Sequence, residues 1–180
     1  MPETIASYEI RVRGLLNTEH RVSGAEGELG RMTVERNAKG MIVRGRYAPT
    51  KGEVLHFRRD PGLLRSQFSL WTDGREWLGS SLRWSFLRRE IAMATGNKPY
   101  RLVPVAGFRR GWRMFAPKTG EIARIVPTAV RGSRIEVYRR VDFELVLFAY
   151  FLGHQVYLES LWPGRSEEGD QESVATPSRA

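Results

Sequence analysis

Arginine pairs are the residues in this chain best suited to chemistry. They are Arg58-Arg59, Arg88-Arg89, Arg109-Arg110 with Arg113, Arg131 with Arg134, and Arg139-Arg140. A guanidinium is planar and always charged, and its donors form a fork that matches phosphate or carboxylate oxygens better than a lysine does. Phe108-Arg109-Arg110-Gly111-Trp112-Arg113 interleaves such groups with aromatic rings. That combination suits a lipid headgroup at a membrane interface or the stacked bases of a single strand. The competing reading makes Phe108 and Trp112 core residues and the arginines a solvated turn.

Other chemistries find less material. His20, His56 and His154 are far apart and follow no metal-ligand spacing, and His154 reads as a core or barrel-mouth residue. Gly24–Gly30 is glycine-rich but lacks the Lys-Ser/Thr and helix of a phosphate loop. Ser80-Ser81 and Asp60 form no triad in sequence, and Asp60-Pro61-Gly62 reads as a turn. The chain has no cysteine, which removes thiol nucleophiles, disulfides and cysteine-ligated metals. A non-enzymatic role is therefore expected, with no cofactor and no metal.

The elements that must carry the arginines are mostly strands. Between Tyr8 and Arg140, apolar and polar residues alternate, and turn signals recur about every ten residues. Strands are predicted at Tyr8–Val12, Leu29–Val34, Met41–Tyr47, Glu53–Arg58, Phe68–Trp71, Glu76–Leu82, Trp112–Ala116, Glu121–Val126 and Ile135–Arg139. The turns between them include Asn37–Gly40, Pro49–Gly52, Thr72–Arg75 and Pro117–Gly120. In Thr72–Arg75 the Asp-Gly step is expected to take positive φ. Leu82–Ala94 breaks the pattern and reads as a strand followed by a short helix. Trp71, Trp77 and Trp84 are expected to pack in the core, with a rim anchor at an interface as the other possibility. Three segments, at Arg46–Val54, Leu70–Gly79 and Met114–Ala123, share an aromatic strand, a polar glycine turn and a following apolar strand, which hints at stacked hairpins.

The period then changes. Asp142 is a plausible N-cap for a helix over about 142–158. Phe143 and Leu145–Leu152 leave that helix without a polar face, so it must be enclosed on all sides. The apolar run is too short to span a bilayer, which takes about 20 residues. A sheet can enclose such a helix only by curling around it. The expected fold is thus mainly β: a closed antiparallel β-barrel around a C-terminal hydrophobic helix.

Serial glycine-turn hairpins followed by Asp142-Phe143-Glu144-Leu145-Val146-Leu147-Phe148-Ala149-Tyr150-Phe151-Leu152 resemble the tubby C-terminal-like superfamily, over roughly Tyr8–Trp162. Its members include tubby proteins, phospholipid scramblases and LURF-one-related proteins. The resemblance implies a barrel of about twelve strands around a central helix, and binding at membrane lipids. The chain lacks the tubby basic motif, and the cysteine-rich segment and proline-rich arm of scramblases. Arg139 and Arg140 beside Asp142 and Glu144 disfavour the scramblase calcium loop. The chain is most similar to the short, stand-alone LURF-one-like members.

Charge completes the expectation. The 180 residues carry 29 Lys+Arg against 20 Asp+Glu, for +9, and all but four of the basic residues are arginine. Ser166–Ala180 holds Glu167, Glu168, Asp170 and Glu172 against Arg179, so 28 basic and 16 acidic side chains remain in the body. A body this basic favours anionic partners, although a solvated arginine-rich surface would give the same count. Met1–Ser7 shows no signal-peptide pattern. The organisation expected is an N-terminal arm over 1–7, a barrel over 8–162 and a disordered acidic tail over 163–180. The function expected is a cytoplasmic binding or scaffold module, peripheral at an anionic phospholipid membrane. The anion contacts would come from Arg58, Arg59, Arg88, Arg89, Arg109, Arg110, Arg113, Arg139 and Arg140. The alternatives are a nucleic-acid-binding protein, or a small-ligand carrier or enzyme using the barrel mouth.

Overall fold

A computed structural model describes residues 3–14, 18–38, 42–60, 67–83, 90–96, 98–105, 111–128 and 131–160, with the side chains of 82–83 and 155–160 set aside. Twelve strands follow one another around a single closed, antiparallel barrel. They are β1 Ala6–Arg13, β2 Thr18–Gly24, β3 Gly27–Arg36, β4 Ile42–Pro49, β5 Leu55–Asp60, β6 Gln67–Thr72, β7 Trp77–Arg83, β8 Ile91–Thr95, β9 Lys98–Pro104, β10 Trp112–Ala116, β11 Gly120–Thr128 and β12 Gly132–Val137. Each pairs with its sequence neighbours, and β1 closes the ring on β12 with Tyr8 opposite Ile135. Closure leaves no unpaired sheet edge, which removes a template for aggregation.

The single helix, α1 Phe143–Ser160, runs up the lumen. The Asp142 carbonyl accepts from the Leu145 and Val146 amides, so the helix starts where the acidic residue predicts. Leu145–Leu152 are all buried and join one core with inward residues of the strands. Contacts on opposite walls prove the threading. Phe143 meets Tyr8 of β1 and Tyr47 of β4, Phe151 meets Phe57 of β5 and Phe68 of β6, and Gly153 faces Trp112 of β10.

Antiparallel order fixes the two ends. Odd-numbered strands and α1 all run the same way, from a near rim where α1 enters to a far rim where it leaves. The core alternates accordingly: Ile10, Val22, Met32, Val34, Phe57, Leu70, Met93, Leu102 and Ile135 point inward. Between them lie outward polar residues, many of them Arg–Glu pairs.

Several expectations need correction. Ile91–Ala94 is strand, not helix, with Ile91 and Met93 inward; 84–89 lie outside the described residues. Strands β2 and β9 escaped the pattern. Thr18 and His20 put polar groups on the inner face of β2, and β9 begins and ends near Pro99 and Pro104. Ala6 and Ser7 belong to β1 rather than to an arm. Asp73-Gly74 does not carry the positive φ of its turn; Arg75 does, at 65°. The Gly74 amide instead donates to Glu53 Oε1 at 2.6 Å, tying this turn to the neighbouring one. Trp71 and Trp77 are not in the core. They are cross-strand partners on the outer wall, Trp77 is 40% exposed, and Trp71 Nε1 donates to Ser69 Oγ. Trp84 lies outside the described residues, as do Leu161 and Trp162 and the acidic tail.

Gly153 shows how tightly helix and wall meet. A Cβ there would stand 2.6 Å from Trp112 Cδ1. Gly153→Ala is therefore expected to lower stability by about 1–3 kcal/mol through overpacking. Urea unfolding of the variant checks this; an unchanged midpoint would mean that Trp112 swings away at no cost.

Candidate anion-binding rim and the histidine pair beneath it

The rims differ in charge because of how the strands end. Of the first four outgoing strands, β1, β3 and β7 finish at arginine, at Arg13, Arg36 and Arg83, and β5 ends Arg58-Arg59-Asp60. Arg131, in the turn that opens β12, joins them; its carbonyl accepts from the Val12 amide at 2.8 Å, which sets it beside Arg13. The described acids of this far rim are Asp60, Glu90, Glu19, which stands opposite Arg13, and Glu35, which is bound to Arg44. At the near rim, Lys51, Arg75, Lys98, Lys118, Arg139 and Arg140 stand among Glu3, Glu26, Glu53, Asp73, Glu76 and Asp142, so the signs balance.

The candidate arginines divide on this frame. Arg58 is exposed, and its side chain has no ion pair or hydrogen bond among the described residues. Its cross-strand partner is another arginine, Arg44, whose Nε is bound to Glu35 at 2.7 Å. Like charges directly opposite are unfavourable in a sheet. Arg59 points inward at the rim and its Nη1 donates to the Ile42 carbonyl at 3.3 Å. Asp60 accepts from Ser69 Oγ at 2.7 Å. Arg113 is committed elsewhere. It binds Glu121 through two hydrogen bonds, of 2.8 and 2.6 Å, and lies over the Phe115 ring. Burial pushes the Glu121 carboxyl up, but hydrogen bonds from Arg124 and Arg113 outweigh it and hold the group below the usual carboxylate range. Arg134 approaches Glu9 at 3.6 Å. Arg139 and Arg140 are exposed at the near rim, the opposite end from Arg58. Arg88, Arg89, Arg109 and Arg110 lie outside the described residues. The strands flanking them, β7 with β8 and β9 with β10, end and begin at the far rim.

Beneath the far rim the structure joins two of the three histidines, a pairing that sequence spacing hides. His20 is wholly buried on β2, and its ring lies edge-on to that of His154, centroids 4.8 Å apart. Its Nε2 meets Thr18 Oγ1 at 2.7 Å and its Nδ1 meets the Tyr150 hydroxyl at 2.8 Å. A neutral imidazole has one donor and one acceptor nitrogen, so His20 donates to one hydroxyl and accepts from the other. Burial, then the charges of His154 and Arg36, drive the His20 pKa down to about 3. Burial and Arg36 drive His154 down to about 4. Burial also pushes the Tyr150 hydroxyl up, so it keeps its proton. His154 Nε2 is buried without a partner. The signal available in sequence was the four-residue spacing of Tyr150 and His154, which places both on one helix face. The third histidine, His56, is on the outer wall and shares a 2.8 Å contact with Asp73.

The lumen itself offers little room, since α1 fills it. An open groove of about 450 Å³ lies instead on the outside, between Thr4–Ser7 of the β1 approach and Ser23–Ala25, away from His154. Among the described residues no three His, Cys, Asp or Glu side chains group as metal ligands, and no helix is long and apolar enough to cross a membrane. Comparison with protein-family models, with curated proteins and with solved structures finds no match.

Proposed function

We propose that this helix-filled barrel is a non-enzymatic module that docks by its far rim on an anionic phospholipid surface. The observation that carries the reading is the segregation of charge between the two rims. Arginine ends three of the first four outgoing strands on one side and the fourth ends Arg58-Arg59-Asp60, so basic residues outnumber the acids there, while the near rim carries both signs equally. The sequence between the same far-rim strand ends adds Lys39, Arg65, Arg88, Arg89, Arg109 and Arg110, with Glu90 the acid closest to them. A cluster of basic side chains facing an anionic leaflet gains about 1 kcal/mol per residue near the surface. A filled lumen favours surface docking over a carrier or enzyme that uses the mouth. The threaded central helix and the count of twelve strands also suit the likeness to the tubby C-terminal-like superfamily, and with it a cytoplasmic, membrane-peripheral site of action.

Co-sedimentation with neutral and with phosphatidylserine-containing liposomes, at two salt concentrations and with a polynucleotide competitor, tests this. Pelleting is expected with anionic liposomes only, weakened by salt and little affected by competitor. Arg58→Glu with Arg131→Glu is expected to weaken binding by about 2 kcal/mol or more, roughly thirtyfold. Arg139→Glu with Arg140→Glu, at the near rim, is expected to leave it unchanged. Loss of pelleting to the competitor would favour nucleic acid as the ligand. No pelleting in any condition would sink the membrane reading.

A further inference from the structure

We propose that the near rim carries a strand-addition site, where an extended peptide segment of a partner protein, with a basic residue between two apolar ones, pairs with the free side of β1 at Ser7. The far rim takes no part in this, so peptide binding and membrane docking stand or fall separately.

The ring is closed, but the two ladders on β1 differ in where they stop. β12 pairs with β1 from Ala6 to Arg11, whereas β2 pairs with it only from Glu9 to Arg13. A register shift at Val22/Ser23 marks where β2 turns away into its hairpin with β3, as a bulge bends a strand. Ala6, Ser7 and Tyr8 are thus paired on one side only. The open groove of about 450 Å³ lies along their other side, between Thr4–Ser7 and Ser23–Ala25. That volume falls in the range of ligand sites, roughly 300–1,000 Å³.

Strand parity sets which backbone groups face the groove. The Val12 amide donates to the Arg131 carbonyl, one step beyond the Arg11–Gly132 pair. Even-numbered residues of β1 therefore bond to β12, and odd-numbered ones to β2. Ser7 is odd, so its N–H and C=O point into the groove. The position opposite is Ala25, which lies in the turn and forms no ladder pair with it. One residue of an incoming chain takes both bonds, in the place that β2 vacates. Such main-chain bonds give strand addition its affinity, and alternate side chains give it selectivity.

The side chains around Ser7 define the partner. The residue paired with Ser7 projects outward, diagonal to Glu9 and within reach of a lysine or arginine stem. Of the residues lining the groove, Glu9 alone is charged. Arg11 at 3.8 Å and Arg134 at 3.6 Å approach its carboxylate from beyond hydrogen-bonding distance. Glu3 and Glu26 stand exposed beside the two walls, with no ion pair among the described residues. The other basic residues nearby are directed elsewhere. Arg21 faces Glu28, and Arg134, Arg139 and Arg140 stand on the β12 side of β1. The incoming residues on either side of the basic one turn inward, toward Ala6 and Tyr8, which pack against the core. Ile5, at 59% the most exposed large apolar side chain described, lines the same groove.

The probe is a capped hexapeptide alternating valine and lysine, titrated into the full chain at low salt with amide shifts recorded. Saturable shifts are expected at Ala6–Tyr8 and Ser23–Ala25, with the far-rim strand ends unmoved. The peptide N-methylated at its lysines lacks the donor for Ser7 and is expected to bind about tenfold more weakly. Glutamate in place of lysine in the peptide, or Glu9→Lys in the protein, is expected to weaken binding by a similar factor. Ser7→Pro removes the groove-facing N–H but none of the bonds to β12, so it should abolish binding and keep the urea midpoint. If that variant unfolds, the N-methylated peptide tests the same bond on the parent chain. No saturable shift, shifts scattered over the wall, or equal binding of the N-methylated peptide overturns strand addition. Equal binding of the lysine and glutamate peptides overturns the basic partner. Shifts of the same amides on concentrating the protein alone would assign the groove to a second copy of the chain and overturn the proposal.

Discussion

Phe151→Ala is expected to remove about 3–5 kcal/mol of stability, the range for emptying a buried aromatic site. For a domain with a margin of about 5–15 kcal/mol, that is much of the whole. The ring has no solvent exposure. It stacks on Phe57 at 4.8 Å, meets Phe68 edge-on at 5.1 Å, and lies against Gly45, where a Cβ would come within 2.8 Å of it. Strands β4, β5 and β6 therefore converge on one side chain of the helix. The wall is a closed ring of hydrogen-bonded strands and cannot collapse inward to fill the gap, so the cavity term is expected at the high end. Phe143→Ala makes the contrast, because that ring is only half-buried at the near rim and touches Tyr8 and Tyr47. Its loss should cost clearly less. Urea unfolding of both variants checks the order; equal losses would mean that the far half of the lumen relaxes as freely as its mouth.

The second large effect is on acid stability. His20 and His154 are held neutral in the fold, with pKa values of about 3 and about 4. In the unfolded chain both return to about 6.5. The unfolded state therefore binds more protons at any pH between those limits, and acid favours it. The stabilisation is fully present above about pH 6.5 and is lost progressively as pH falls toward 4. Each histidine contributes about 1.4 kcal/mol per pH unit, so the pair should cost about 4 kcal/mol by pH 5. Glu121, the carboxylate held low by Arg124 and Arg113, adds its own loss only below the ordinary carboxylate range. The window between pH 6.5 and 5 thus isolates the histidines. Denaturant midpoints measured across it should fall steeply in the parent and about half as steeply in His154→Leu. A flat profile would refute the buried neutral pair.

Much of this architecture was legible in the residues. An eight-residue apolar run with no polar face, following a series of alternating strands, left a curled sheet as the enclosing partner, and Leu145–Leu152 are buried in the lumen as that requires. The strands that escaped did so for physical reasons. β2 turns Thr18 and His20 inward because α1 offers them a hydroxyl and a ring, and no alternation of hydrophobicity can announce a polar core position that is satisfied from 130 residues away. The tryptophans misled in the opposite sense. Trp71 and Trp77 are large and apolar, yet they stand as cross-strand partners outside the wall, Trp77 exposed and Trp71 hydrogen-bonded to Ser69. The rim was half legible. The arginine pairs stood out, but which of them share an end depends on strand parity, and one miscounted strand swaps the ends. Omitting β2 and β9 from the count would have placed Arg36 and Arg59 at opposite ends to those they occupy relative to Arg13.

The threaded helix also orders events in time. It follows all twelve strands in the chain, yet it supplies the inner half of the core they share. During synthesis the strands emerge before the one element that can fill their lumen, and β1 must wait for β12 before the ring can close. Both contacts are nearly as long-range as the chain allows, which makes folding slow and late. Until α1 clears the ribosome, the inward faces of the hairpins stay open to solvent, where a chaperone or a neighbouring nascent chain can reach them. Any translation stop upstream of Phe151 would release a wall with no centre.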